Sequence, residues 1–583
     1  MMTKSNRPVG ITKGPGETIH EYTFISRDDQ RLLKNGEYVY YQLESSAESP
    51  DAILPESTVP RCVLGRIQQR VPVQLYPDTF LSEPEVSPSQ VAALVGYDQR
   101  SSDLFELHVS IMGYYDGELG TFVNPWIPPS SGTPIYLADD SLLAGVLSRK
   151  QSGSTGSATI GSLLTRDEGS VPVVLDVKEL VSTHLAIIAS TGAGKSYLAS
   201  VVIEELMSPY NRAAVLIIDP HGEYNTLQEI ANHEEFGERA GGSREAEKHS
   251  PAHRPKYHAR ARVYLHDQVK VRLNTLSLAD LRYLLPGMTD KQHHYLGQAY
   301  EQVRKAKKGQ PWTAKDLKDA VVAVGQNKNE ESSDDSGNST VAALSWKIDE
   351  RLERNNFVFD PFQHLELREI LQPGQCTILQ LDEVDERDQQ VIVATLLRRV
   401  YNARLETERH KVQPGDEKHL PYPVFILIEE AHHFAPHDGE AVSTGILKQA
   451  LAEGRKFGMG IGLISQRPGK LDADVLSQCL TQCIMRIVNE VDQKSIATAV
   501  EGVGRDLLDN LPALSKGQAI VAGSAINTPV ICRVRKRITP HGGESKDAPA
   551  EWLSQYEKEA VESRARDSAP LQRSTTPVSI FKH

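Results

Sequence analysis

Cysteine is scarce: five residues in 583, at positions 62, 376, 479, 483 and 532. They are too few and too scattered for a disulfide framework, and reduced thiols are expected. Cys479 and Cys483 are spaced to share a helical face, but no two further ligands stand at finger-like spacing, so packing is expected rather than zinc. Long apolar runs are missing as well. The longest, such as HLAIIA and VFILI, fall far short of a membrane span, and the start MMTKSNRPVG carries no apolar segment of the secretory kind; the expected location is the cytoplasm. Nor is there an excess of positive charge. Lys and Arg number 64 against 77 Asp and Glu, a net charge of −13, which argues against coating nucleic acid over the outer surface, because such binding comes mostly from phosphate neutralisation. A basic lining confined to a groove or pore stays open.

What is present reads as several units, about three or four by length. From about residue 20 to 175 the runs YVYYQL, CVLGRI, VPVQLY, LFELHVSIMGYY and TPIYLA, broken by Pro, Gly and Ser, predict a small β-barrel within 1–160. QSGSTGS at 151–157 reads as a flexible connector. Strands then alternate with helices. HLAIIA, AVLIID, CTILQLD, VFILIEE and GIGLISQ are short, apolar and rich in β-branched residues, as strands buried on both faces of a parallel sheet must be. They predict a nucleotide-binding α/β core over 161–225 and 373–540. After the first of them, Ala199, Val202, Ile203 and Leu206 form one apolar helical stripe. The stretch 226–372 between the second and third strands is too long for a loop and carries helical signals, so a helical insertion is expected, interrupted by a disordered QNKNEESSDDSGNS at 326–339. Residues 541–583 read as a helix and a tail.

The chemistry concentrates in a few motifs. ASTGAGKS at 189–196 is a phosphate-binding loop with Ala189 in place of the first glycine. Backbone amides over Thr191, Gly192, Ala193, Gly194 and the first helical turn with Tyr197 would face ATP phosphates. Lys195 would add a point charge, and Ser196 would ligate Mg²⁺. ILIEE ends a strand in two acids: Glu429 is expected to hold the Mg²⁺ shell through water and Glu430 to polarise the attacking water. Gln466, at the end of the next strand, is placed to sense the γ-phosphate. DPHGEY offers Asp219 and Glu223 for water or metal positioning, with a plain turn as the alternative for Asp219. In EGRKFG, Arg455 suits a transition-state cation supplied by a neighbouring subunit, against a solvated helix end. His432, His433 and His437 are read as supporting or packing residues rather than metal ligands. Arg533, Arg535 and Arg537 alternate along CRVRKR and are read as a solvated basic face.

The ordered set STGAGKS, VLIIDPHGEY, LIEEAHHFAP, EGRKFG, LISQRP and LPALSKGQAIVAG resembles the HerA family of hexameric DNA-translocating ATPases, relatives of the FtsK motors. GYYDGELGTFVNPWIPPSSGTPIYLA resembles that family's N-terminal HAS barrel. The likeness covers roughly residues 60–540. It implies an α/β fold with a RecA-like parallel-sheet ATPase core and a helical insertion, preceded by the small all-β barrel. It also implies a homo-hexamer around double-stranded DNA, with ATP and Mg²⁺ between neighbours, Arg455 acting in trans, a partner nuclease docked on the barrel, and 541–583 bracing the next subunit. Thr183 departs from the family, standing where many relatives have an arginine thought to reach a neighbouring phosphate.

Two functions follow from the resemblance. The first is a motor that threads duplex DNA and works with a nuclease, in end processing or defence. The second is an ATP-dependent scaffold that regulates an anti-phage effector, either a nuclease or a sirtuin-type NAD-consuming enzyme. A membrane-embedded conjugation or segregation pump is disfavoured, since the chain carries no membrane helix.

Overall fold

Glu21–Ser26 alternates exposed and buried side chains residue by residue, as a strand with one face inward must. The computed structural model describes residues 7–14, 18–28, 30–43, 61–73, 104–237, 257–329, 336–354, 358–500, 503–541 and 548–567, and the chain divides into two compact units, Met1–Pro540 and His541–His583. In the first unit the strands Glu21–Ser26, Gly10–Thr12, Pro134–Leu137, Tyr38–Gln42, Cys62–Pro72 and Phe105–Asp116 pair in that order. The last pairs back to the first, which closes a barrel. All these pairings are antiparallel, and closure leaves no free edge among the six. Phe24, Val39, Val63, Leu107, Val109 and Ile135 fill the interior. Gly113, at φ 109°, lets Thr121–Val123 add to the barrel, because a Cβ there would stand 2.3 Å from the Val123 carbonyl oxygen.

The second sheet has eleven strands. Seven are parallel, in the order Arg260–Tyr264, Gln375–Gln380, Ala214–Asp219, Val424–Ile428, Met459–Ser465, Leu185–Ile188 and Thr481–Ile484. Every residue of Leu185–Ile188, Ala214–Asp219, Val424–Ile428 and Met459–Ser465 is buried. That is why these strands read as unbroken apolar runs. Antiparallel strands Gln518–Gly523, Val530–Val534, Ser157–Leu163 and Pro172–Asp176 extend the sheet.

Several sequence readings change. The sheet takes a parallel strand, Arg260–Tyr264, from inside the stretch 226–372 read as helical; as an edge strand with half-exposed residues it carries no apolar run. The rest of that stretch holds the helices Leu278–Leu284, Asp290–Lys307, Ala314–Asn329 and Ser336–Asp349. The last two take up both ends of 326–339, where disorder was expected; 330–335 lie outside the described residues. QSGSTGS is a hydrogen-bonded turn rather than a loose connector, since Gly156 N–H donates to Asn211 Oδ1 at 3.0 Å. Cys479 and Cys483 share no helix: one follows the turn after Ala473–Ser477 and the other lies in Thr481–Ile484, both wholly buried.

The helix Lys195–Leu206 is buried nearly all round instead of along one stripe. Its Glu204 accepts hydrogen bonds from the Ile538 and Thr539 amides, and Arg535 pairs with Glu204 and Glu205, each at 2.9 Å. Arg535 therefore braces this helix, and Arg537 lies nearly buried beside it, 4.0 Å from Glu204, so the expected solvated face is largely an internal clamp. In the second unit, helix Ala548–Asp567 bears the exposed Trp552, Leu553 and Tyr556. No described helix is long and apolar enough to cross a membrane.

Candidate active site

The carboxyl ends of Leu185–Ile188, Ala214–Asp219, Val424–Ile428 and Met459–Ser465 lie side by side, the usual place for ligands of an open parallel sheet. From the first of these the chain enters the phosphate loop. Ala189 is buried and its N–H donates to Ser465 O at 3.3 Å, so the position still belongs to the strand and asks for no glycine. The demand falls on Gly192 and Gly194, with φ of 78° and 108°. Ser190 N–H is fixed by Arg486 O at 3.0 Å and Ala193 N–H by Ser190 O at 3.1 Å. Gly194 caps the helix, whose first-turn amides, including those of Ser196 and Tyr197, have no helical acceptor and form a natural anion site.

Lys195 Nζ donates to Glu429 Oε1 at 2.7 Å and stands 3.2 Å from Glu430 Oε1 and 3.7 Å from Glu223 Oε2. Burial alone would depress this lysine; the three carboxylates outweigh it and hold its ammonium above the ordinary value. Burial pushes Glu429 up to about 8 against the pull of Lys195, and the Glu223 and Asp219 charges add to the rise. Burial would also raise Glu223, but the Ser196 hydrogen bond and the Lys195 charge overcome it and lower the group. Ser196 Oγ donates to Glu223 and lies 3.4 Å from Glu429 Oε1.

Asp219 takes neither side of that cluster. Its Oδ1 accepts the amides of His221, Gly222 and Glu223, and its Oδ2 that of Tyr224. The turn reading of DPHGEY describes Asp219, whose carboxylate fixes the segment that carries Glu223. Thr191 Oγ1 donates to Gln466 Oε1 at 2.7 Å, which joins the phosphate loop to the strand end beside it. Glu430, next to Glu429 just past the strand Val424–Ile428, is buried at φ 48°. Arg455 and Lys456 stand exposed in the turn Gly454–Phe457, away from this cluster. No hydrogen bond or ion pair among the described residues engages the Arg455 guanidinium. Thr183 is buried, and its hydroxyl is spent on Glu179 O at 2.7 Å and on Ser524.

The donor set suits Mg²⁺. Ser196, Glu223 and Glu429 offer only hard oxygen ligands, and Glu429 Oε2 is buried with no hydrogen bond. A second grouping, His364 with Glu366 and Glu417, is a poor cation site: burial first, and then the Arg399 and Arg272 charges, depress this imidazole, and the same two guanidiniums repel a cation. Two features at the loop escaped the sequence reading: the Arg486 carbonyl, and Gly517, whose N–H approaches Ala193 O at 3.4 Å. Both act through backbone, and a side-chain motif gives no signal for that.

A family model described as the central domain of the helicase HerA matches residues 158–400. The DNA double-strand break repair helicase HerA of Pyrococcus furiosus is 30% identical over 468 residues, covering 73% of this chain and 76% of that protein. A probable helicase of Methanocaldococcus jannaschii is 30% identical over 446 residues, covering 75% of this chain and 77% of its own length. Among solved structures, VirB4 of Thermoanaerobacter pseudethanolicus aligns over 68% of this chain and 99% of its own, with a TM-score of 0.46 at 15% identity.

Proposed function

Because the chain belongs to the HerA helicase family, we propose that it hydrolyses ATP at the Lys195 cluster and uses the energy to translocate double-stranded DNA as a homo-hexameric ring. The observation that supports this most is the convergence on one lysine of carboxylates from one strand end, Glu429 and Glu430, and from the turn after the neighbouring strand, Glu223. A buried cation held by surplus acid is poised to exchange those partners for phosphate oxygens. Lys195 and the amides of residues 191, 192 and 194–197 bind the phosphates, the Ala193 N–H being engaged by Ser190 O. Ser196, with Glu429 through water, holds Mg²⁺, and Glu223 takes part in the same shell. Bound Mg²⁺ supplies charge neutralisation at the β- and γ-phosphates. Glu430 polarises the attacking water, and Gln466, freed from Thr191, reads the γ-phosphate. Arg455 reaches the site of the adjacent subunit, which explains why it stands exposed and away from its own loop.

The barrel docks a partner nuclease, and residues 541–583 brace the neighbouring subunit. The second reading, an ATP-controlled scaffold for an anti-phage effector, draws on the net charge of −13 and on Thr183, whose buried hydroxyl leaves no side chain at that position to reach a neighbour. Purification with the adjacent open reading frame, followed by ATPase assays with and without duplex DNA, separates the two. Stimulation by duplex DNA that is lost in Lys195→Ala supports the motor; turnover indifferent to DNA, with activation of the partner, supports the scaffold.

A further inference from the structure

We propose that His432 is a positioning residue for Glu430, its imidazole Nδ1 standing between that carboxylate and the Ser465 hydroxyl. The inference rests on the ATPase reading above and adds a residue to it.

Glu430 stands two residues past the strand Val424–Ile428 in a left-handed conformation, and the chain turns at once into the single 3-10 turn Ala431–His433. A non-glycine residue at φ 48° is uncommon and persists where its surroundings hold it. That turn folds His432 back beside the Glu430 side chain. His432 Nδ1 stands 3.3 Å from Glu430 Oε2 and 3.3 Å from Ser465 Oγ. The two oxygens of Glu430 are thus divided: Oε1 faces Lys195 at 3.2 Å, and Oε2, buried and without a hydrogen bond of its own, faces the imidazole. Ser465 Oγ is oriented in turn, since it accepts the Arg467 N–H at 3.1 Å. Ser465 immediately precedes Gln466, so the ring links the carboxylate to the strand end that carries the γ-phosphate-sensing amide.

Burial holds the imidazole neutral, and the charges of His433, Arg467, Lys470 and Lys195 around it act the same way. A neutral ring has one N–H to give. Placed on Nδ1, it faces two acceptors, and it aims Oε2 without supplying a second cation that would draw off the carboxylate's basicity. A carboxylate that must take a hydrogen bond from water gains from such fixing, because small misplacements at a reacting centre are expensive in rate.

The test compares His432→Ala, His432→Asn and His432→Gln with wild type by steady-state ATPase and by ADP binding, with thermal midpoints as a check on folding. Asparagine puts an amide N–H near the former Nδ1, and glutamine puts it near Nε2. The alanine variant should lose kcat on the order of 10- to 100-fold while KM and the ADP affinity stay within about twofold. Asparagine should recover kcat to within about fivefold, glutamine should not, and Ser465→Ala should fall between. If alanine keeps the wild-type kcat, or if asparagine and glutamine fall equally with KM rising, His432 is a packing residue and the inference is wrong. Should wild type itself not hydrolyse ATP while its fold is intact, the ATPase reading fails first, an outcome distinct from the failure of His432 alone.

Discussion

His184 holds a backbone conformation, φ 62° and ψ 158°, that glycine adopts readily and other residues avoid. Its ring explains why it stays there: Ile461 N–H donates to Nδ1 at 3.1 Å, and Nε2 lies 2.8 Å from Leu451 O. The neutral tautomer with hydrogen on Nε2 satisfies both contacts, and protonation would break the first. Burial, with the Arg455 charge assisting, pushes this imidazole down to about 4. The unfolded value lies near 6.5, so the native state gains from a neutral His184 above that pH and loses the gain as pH falls toward about 4. By pH 5 the loss is on the order of 2 kcal/mol. Thermal midpoints should therefore drop between pH 7 and pH 5, and the drop should shrink in His184→Gln; an unchanged drop would show that His184 contributes none of it. At the phosphate loop, Ala189→Gly should leave ATPase turnover within about twofold. Gly194→Ala should reduce it strongly, since φ 108° and a Met485 methyl 3.3 Å from the added Cβ both oppose it.

The helix Lys195–Leu206 shows what an element needs beyond its own pattern. A periodicity of 3.6 residues in Ala199, Val202, Ile203 and Leu206 finds the sheet-facing stripe, but it is silent on Glu204 and Glu205, whose partner Arg535 lies some 330 residues later. Arg535→Ala should leave two nearly buried carboxylates short of their cation and destabilise the protein by about 3 kcal/mol, read as a lower denaturant midpoint with the slope unchanged. The same limit governs what was legible elsewhere. Strands buried on both faces announced themselves as apolar runs, and the glycines of the phosphate loop announced its turn. Thr481–Ile484 reads TQCI, and Arg260–Tyr264 carries two arginines. The first is wholly buried but spends its polar groups on hydrogen bonds, Thr481 with Ser524 and Gln482 with Cys479 O, and the second is a half-exposed edge strand, so no apolar run marks either. Asp219 was ambiguous for a related reason: an aspartate before a turn and an aspartate facing a metal look alike until the four backbone amides it accepts are placed.

At the scale of the whole molecule, a single chain holds its Lys195 cluster and its Arg455 apart, and that separation carries a consequence for assembly. If Arg455 serves a neighbour's nucleotide, each competent site is built from two subunits, one giving Lys195 and the other Arg455. Lys195→Ala and Arg455→Ala should each abolish most ATP hydrolysis in a uniform ring. A ring containing both variants has a different arithmetic. Wherever an Arg455→Ala subunit presents its intact phosphate loop to the intact arginine of a Lys195→Ala neighbour, a complete site forms, and with random mixing this happens at up to about a quarter of interfaces. Co-expressed variants should therefore recover ATPase activity that neither has alone, in an assembly of the same size as wild type. An arginine acting within its own chain gives the opposite result, because every chain in the mixture still lacks one of the two groups. Complementation thus distinguishes an inter-subunit site from an internal one without any measurement on the DNA or on the partner. A mixed ring of normal size that stays inactive would return Arg455 to the solvated end of its helix.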